Sequence, residues 1–252
     1  MIVTTDAIVL RTMKYRESSR IAVLYTRDLG KVSVMAKGAR DGKSRLGGAL
    51  QPMNIVSAVM YVRESRDLQL LTQCDVLRPM HALAAALEKM GPAMAALELT
   101  EAVSPPAEPS GEMFDLLAGT LGAVSDATKQ PGNALYYFEL HLLGLIGFRP
   151  MLSRCAACGR AAEGQGTGEL HMSPGGILCR ECSRRGSALE AVSPAALAAL
   201  RMLQESADPA APTRMVLDAP LRGEIARLLR RLLQTHVEGL RTLRSEAVFA
   251  TL

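Results

Sequence analysis

Hydrophobic positions in the first 80 residues come in short runs separated by polar turns. The runs are Ile8-Val9-Leu10, Ile21–Tyr25, Lys31–Met35, Asn54–Val62 and Leu68–Cys74. Runs this short, rich in β-branched side chains, predict strands. Val32 and Val34 alternate with Lys31, Ser33 and Met35, the period-two signature of a half-buried strand. Arg27-Asp28-Leu29-Gly30 lies between two runs and predicts a hairpin turn, with Gly30 free to take positive φ. Five strands in so short a block suit a small closed barrel, and the OB-fold is the five-stranded barrel that binds oligonucleotides. Lys37–Gly48 breaks the strand pattern: with four Gly and four basic residues it predicts a cationic loop.

After Pro79 the period changes. His81–Met90, Pro92–Val103, Glu112–Thr128 and Asn133–Gly147 carry apolar residues three and four apart and predict packed amphipathic helices, with Pro92 in the first turn of its own helix. Ser104–Gly111, with three prolines, reads as a linker. Residues 153–186 are irregular. Ser193-Pro194 then marks a helix start, Ser193 as cap and Pro194 at the first position. A last helix carries Leu221, Ile225, Leu228, Leu229 and Leu232, with Val237 and Leu240 less regularly placed. The expectation is an α+β protein: an N-terminal OB-fold barrel over 1–80 and an α-helical domain over 81–252 that contains a zinc-ribbon-like insert at 153–186.

Composition supports a folded chain. Hydrophobic residues are 48% of it, yet Trp is absent and aromatics are 4%, so Leu, Ala, Val and Met must fill the core. Charge sharpens the division. Residues 1–80 hold 13 Lys and Arg against 7 Asp and Glu, a net of +6; residues 81–153 hold 3 against 8, a net of −5; residues 154–252 hold 13 against 10, a net of +3. A basic barrel suggests a polyanionic partner. Its cations crowd into Arg11, Lys14, Arg16, Arg20, Arg27, Lys31, Lys37, Arg40, Lys43 and Arg45, while the only aromatics of the block are Tyr15, Tyr25 and Tyr61. Nucleic-acid binding there would rest on charge more than on stacking.

Cys155-x-x-Cys158 and Cys179-x-x-Cys182 are two thiol pairs separated by twenty residues. Four thiolates at these spacings can converge on one tetrahedral Zn²⁺, and a shell filled by protein makes the ion structural. Gly159 permits the turn after the first pair, and Arg154, Arg160, Arg180, Arg184 and Arg185 would offset the negative charge of the centre. His171 lies between the pairs and reads as a solvated loop residue; Cys74, in a strand-like run, reads as buried. No nucleotide loop, nucleophile elbow or metalloprotease motif is present, so the chain is expected not to be an enzyme. Gly164–Gly168 is glycine-rich but lacks the flanking strand and helix of a phosphate cradle, and His141 reads as a core or edge histidine. The start of the chain lacks a basic segment followed by a long apolar one, and no apolar run approaches membrane-spanning length, so a cytoplasmic protein is expected.

Several blocks resemble the bacterial DNA repair protein family RecO. These are Thr5–Leu10, Tyr15–Arg20, Leu24–Lys31, Lys37–Arg40, Ser44–Pro52 and Tyr137–Pro150, the last followed closely by Cys155–Gly159. The resemblance implies an OB-fold, a helical domain and a zinc ribbon. It also implies a recombination mediator that binds single- and double-stranded DNA and anneals complementary strands. Such a protein works with RecR, and RecF in many bacteria, to load RecA onto DNA coated by single-stranded-DNA-binding protein (SSB), whose C-terminal tail it contacts. The residues expected at DNA are Arg16, Arg20, Lys31, Lys37, Arg40, Lys43 and Arg45, and the resemblance puts the last four on the family's DNA-facing barrel. Some members lack the cysteines, which argues against a direct role for the metal in annealing. The competing reading is an RNA-binding OB and zinc-ribbon protein of translation or transcription; the large helical body favours the mediator, a nucleoid-associated protein.

Overall fold

The computed structural model describes residues 1–41, 44–63, 65–161, 168–173, 175–184, 189–240, 243 and 245. The expected residues Lys43, Arg185 and Gly164–Thr167 fall outside this set. The chain divides into two compact units, Met1–Ser125 with Arg244–Leu252, and Asp126–Leu243.

The first unit is built on a closed barrel of β1 (Ile2–Tyr15), β2 (Ser19–Thr26), β3 (Gly30–Ala36), β4 (Ile55–Tyr61) and β5 (Leu68–Arg78), ordered β1-β2-β3-β5-β4. A short helix, α1 (Arg45–Ala49), sits between β3 and β4 in sequence. All neighbours are antiparallel except β3 and β5, which run parallel, as in an OB-fold. Strand β1 closes the ring by changing partners: residues 2–8 pair with β4 and residues 7–15 with β2, with a register shift between Val9 and Arg11. Such a bulge bends the strand and lets it serve both neighbours. The interior is filled by small and medium side chains, among them Ala7, Val9, Ala22, Leu24, Val34, Val56, Ala58, Met60, Leu71 and Cys74. Cys74 is buried as expected, and burial pushes its thiol up to about 12.

Helices α2 (His81–Ala85), α3 (Leu87–Val103) and α4 (Gly111–Asp126) complete this unit. The break between the first two falls at Ala86, which is extended (φ −135°, ψ 121°), and not ahead of Pro92. Pro92 lies inside α3, where it removes one backbone donor near the start of a helix that continues through it. The stretch between α3 and α4 is not a free linker. Pro106 forms a parallel bridge with Lys31, Ala107 donates its backbone N–H to the Lys31 carbonyl (3.1 Å), and Glu108 seats against Gly30.

The second unit contains α5 (Asn133–Leu145), strands β6 (Gly168–His171) and β7 (Gly176–Leu178), α6 (Arg180–Ser183), β8 (Leu189–Val192), α7 (Pro194–Glu205) and α8 (Ala219–His236). The strands form an antiparallel sheet ordered β7-β6-β8. His171, expected in a loop, ends β6 and pairs with Gly176 and Leu189, because the strand pairing extends to the turn at Gly175. Phe138, Leu142, Leu200, Leu203, Ile225, Leu228 and Leu229 are buried on α5, α7 and α8. Ser193 caps α7 as the sequence predicts, accepting the Ala196 N–H (3.1 Å), and also binds Glu224 of α8 through its own N–H and hydroxyl, both at 2.7 Å.

Candidate nucleic-acid interface and metal centre

The structure sorts the basic residues of the barrel into two groups. Arg11, Arg27 and Lys31 are held by the acidic helices of their own unit. Arg11 Nε donates to the Glu101 carboxylate at 2.7 Å. Lys31 Nζ donates to the Glu101 backbone carbonyl at 2.8 Å, and partial burial lowers its pKa against the attraction of Glu101. Arg27 grips Asp115 with two nitrogens (2.5 and 3.3 Å) and lies 4.4 Å from the centre of the Phe114 ring. Part of the polyanion that the basic block anticipates is therefore the acidic stretch that follows it.

The second group gathers where the β1–β2 turn, the loop after β3 and α1 come together. Arg16 sits in that turn at φ +53°, its guanidinium 5.3 Å from the Tyr15 ring centre. Arg40 Nη1 donates to the Arg16 carbonyl (2.8 Å), and the Arg40 N–H donates to the Ser18 carbonyl (3.0 Å). Arg20 Nη1 reaches the Gly47 carbonyl (3.4 Å). Lys37 and Arg45 are exposed beside them in sequence. Bonds from guanidinium to backbone carbonyl order the loops without cancelling charge. Among the described residues no carboxylate forms an ion pair with Arg16, Arg20, Lys37, Arg40 or Arg45.

Tyr25 is buried, 1% exposed, with its hydroxyl toward the Ser110 carbonyl, so it offers no ring to a base. Tyr61 is 46% exposed at the end of β4. Two further cations, Arg63 and Arg66 in the β4–β5 turn, join Lys37 and Tyr61 around one cleft. The sequence signal for them was a pair of arginines three apart between two strand runs.

The four cysteines converge: their Sγ atoms all lie within 4.8 Å of one another. A metal–sulfur bond of about 2.3 Å spaces the corners of a tetrahedron about 3.8 Å apart. Cys158 and Cys179 stand at 3.8 Å. The first pair lies on a turn closed by Gly159 N–H to the Cys155 carbonyl (2.9 Å), with Gly159 at φ +73°. The second follows β7 and runs into α6. Burial pushes the Cys155 thiol up, but the backbone N–H groups of Cys179, Cys158 and Ala157 outweigh it and leave the thiol at about 6. Cys179 is also lowered, by the Cys182 backbone N–H first. Cys182 is driven the other way, to about 12, by the neighbouring Cys179 and Cys158 sulfurs. A divalent cation at the centre of the four removes that conflict and lets all four serve as thiolates. Arg160 bridges the two pairs through Glu181 at 2.7 Å, and its charge faces Cys158 and Cys179.

The metal module is fastened to the helices of its unit. Glu190 of β8 takes Arg227 (2.5 Å) and Arg231 (3.0 Å) of α8. Arg201 and Gln204 of α7 donate to the carbonyls of Leu152 (2.8 Å) and Pro150 (3.0 Å). A tetrahedral ion taken by all four sulfurs would have no corner left for substrate. No described helix is long and apolar enough to cross a membrane.

Comparison with known proteins covers most of the chain. The family model described as Recombination protein O N terminal matches residues 1–80, and the one described as Recombination protein O C terminal matches residues 84–246. A protein of Anaeromyxobacter dehalogenans (strain 2CP-C) named DNA repair protein RecO is 37% identical over 235 residues, covering 93% of this chain and 91% of its own. One of the same name from Symbiobacterium thermophilum is 31% identical over 234 residues, covering 92% and 89%. With both halves matched in order and the barrel and thiol cluster both formed, the chain belongs to the RecO family of DNA repair proteins.

Proposed function

We propose that this protein is a recombination mediator without catalytic activity of its own. It binds single- and double-stranded DNA, brings complementary strands together, and helps load RecA onto SSB-coated single strands together with RecR. The observation that carries the reading is the group of barrel cations Arg16, Arg20, Lys37, Arg40 and Arg45, of which Arg20 and Arg40 are ordered by backbone carbonyls and none forms an ion pair with a described carboxylate. Such a surface neutralises phosphates without reading bases. Annealing needs little more, since its main barrier is repulsion between two strands at close range. Family membership supports the partner set, with RecF and the C-terminal tail of SSB among its members, and a nucleoid-associated place in the cytoplasm.

The ion held by Cys155, Cys158, Cys179 and Cys182 is, on this reading, one structural Zn²⁺, the ion that a closed shell of four thiolates suits best. Its residues build and stiffen the module, and the metal supplies cross-linking only.

Annealing of complementary oligonucleotides, followed at rising salt with no nucleotide present, tests the proposal. Acceleration at low salt that fades as salt rises is expected. No acceleration at low salt, or a strict need for ATP, overturns it.

A further inference from the structure

The cleft around Lys37, Tyr61, Arg63 and Arg66 has more order than a patch of surface cations. It measures about 330 Å³ and is also lined by Gln69 and Leu70. That is the small end of the range for small-molecule sites, roughly 300–1,000 Å³, and suits one nucleotide rather than a length of strand. Three cations, an exposed aromatic ring and apolar wall lie together, which is the chemistry needed to take a phosphodiester and a base in one step.

The turn that carries the two arginines is pre-built. Gln69, second residue of β5, is buried at 8% exposure. Its Oε1 accepts the Arg63 N–H at 2.8 Å, and its Nε2 donates to the carbonyls of Arg63 (3.1 Å) and Arg66. The Arg66 N–H closes the turn on the Arg63 carbonyl at 3.1 Å. The preceding residue is fixed as well: the Val62 N–H donates to the Met1 carbonyl (2.9 Å), and the terminal amine donates to the Val62 carbonyl (2.8 Å). One buried amide and the terminal residue thus bind backbone groups of Val62, Arg63 and Arg66, and the two guanidiniums leave a fixed base. Ordering a loop on binding normally subtracts from affinity, and here that ordering is already done. Glu64 and Asp67 share the turn in sequence, so its formal charge sums to zero. Its arginines therefore act at contact, while the other barrel cations provide attraction at range.

We propose that this cleft is a nucleotide subsite of the barrel, specific for single strands. One phosphodiester is held by Lys37, Arg63 and Arg66, and the adjoining base stacks on Tyr61. Gln69 is the positioning residue of the turn. The proposal rests on the nucleic-acid reading above. Stacking on Tyr61 requires a base free of its partner, which a duplex does not offer.

Fluorescence anisotropy with the full-length protein, a labelled oligo-dT strand and a duplex of equal length tests this. Tyr61→Ala should weaken strand binding about five-fold or more, with Tyr61→Phe restoring it and duplex binding unchanged. Arg63→Ala/Arg66→Ala should reduce the salt slope for the strand by up to about 0.7, the worth of the one phosphate they share. Arg11→Ala/Arg27→Ala removes as much charge from residues already held by Glu101 and Asp115, and should leave the slope as it was. Gln69→Leu should weaken strand binding with the slope retained, since no cation is lost. Equal slope changes in the two double variants, or equal loss of strand and duplex binding in Tyr61→Ala, overturn the subsite while wild-type DNA binding stands. Absence of wild-type binding overturns the reading beneath it too. Free dTMP binding as tightly as the strand would make the cleft a nucleotide pocket and overturn the strand assignment.

Discussion

A Cβ at Gly30 would lie 2.2 Å from the backbone oxygen of Glu108, and the residue's φ is +65°. Both facts forbid a side chain there: the left-handed region is strained for any L-residue and the space is occupied. Gly30→Ala should lower stability by about 2 kcal/mol or more, read as a shift of the urea midpoint. His141 on α5 carries a pH-dependent term. Burial lowers its pKa below the ordinary 6.5, its Nε2 is buried without a partner, and the Tyr137 ring centre lies 4.1 Å away. As pH falls, the unfolded chain takes the proton first, so stability present above 6.5 is lost on acidification below it. In His141→Gln the fall in Tm between about pH 7 and pH 5 should be shallower than in the wild type; an identical fall would assign the acid sensitivity elsewhere. Single residues were the hardest scale to read in advance. Tyr25 and Tyr61 look alike as letters, yet one is sealed in the barrel and the other lines a cleft, and only barrel closure decides which.

At the level of elements, local chemistry was readable where it was self-contained. Ser193-Pro194 named a helix start, and the cap bond is there. The two thiol pairs named a metal cluster, and the sulfurs converge. Elements whose limits depend on partners were less readable. Strand β1 runs from Ile2 to Tyr15 although only Ile8–Leu10 read as strand, because pairing with β4 and then β2 carries polar residues such as Thr4, Asp6 and Lys14 along with it. Pro92 looked like a helix start, but the break came at Ala86, set by how the chain enters α3. The thiol module gives a prediction at this scale. Strands β6, β7 and β8 have three or four residues each, too few to hold a sheet alone. Chelation of the metal should speed amide hydrogen exchange in these strands and leave β1–β5 unchanged. Equal exchange with and without chelator would remove the ion's bracing role.

On the scale of the molecule, the charge asymmetry of the sequence has two destinations. Some of the N-terminal excess is met by Glu101 and Asp115 within the same unit, and some is left at the loops around Arg16 and Arg40. A charge count cannot separate these, since it registers each cation without its neighbour. Two variants should separate them in function. Lys37→Ala/Arg40→Ala should slow annealing markedly at low salt. Arg11→Ala/Arg27→Ala should leave the rate near wild type and reduce stability by under about 1 kcal/mol per exposed pair. Equal slowing would mean that bulk charge, and not its placement, governs pairing. The barrel and the metal module were readable as wholes because each rests on a repeated or spaced signal; Arg63 and Arg66 were not, because their cleft is made by strands distant in sequence.

Residues 104–111, with their prolines and serines, are where a protease or an inserted tag would ordinarily be directed. Their backbone is already engaged, through the Pro106 and Ala107 contacts to Lys31 and the seat of Glu108 on Gly30. A nick or an insertion at this point would not simply lengthen a tether. It would unlatch the β2–β3 turn, so this cleavable-looking stretch should resist digestion for as long as the barrel stays closed.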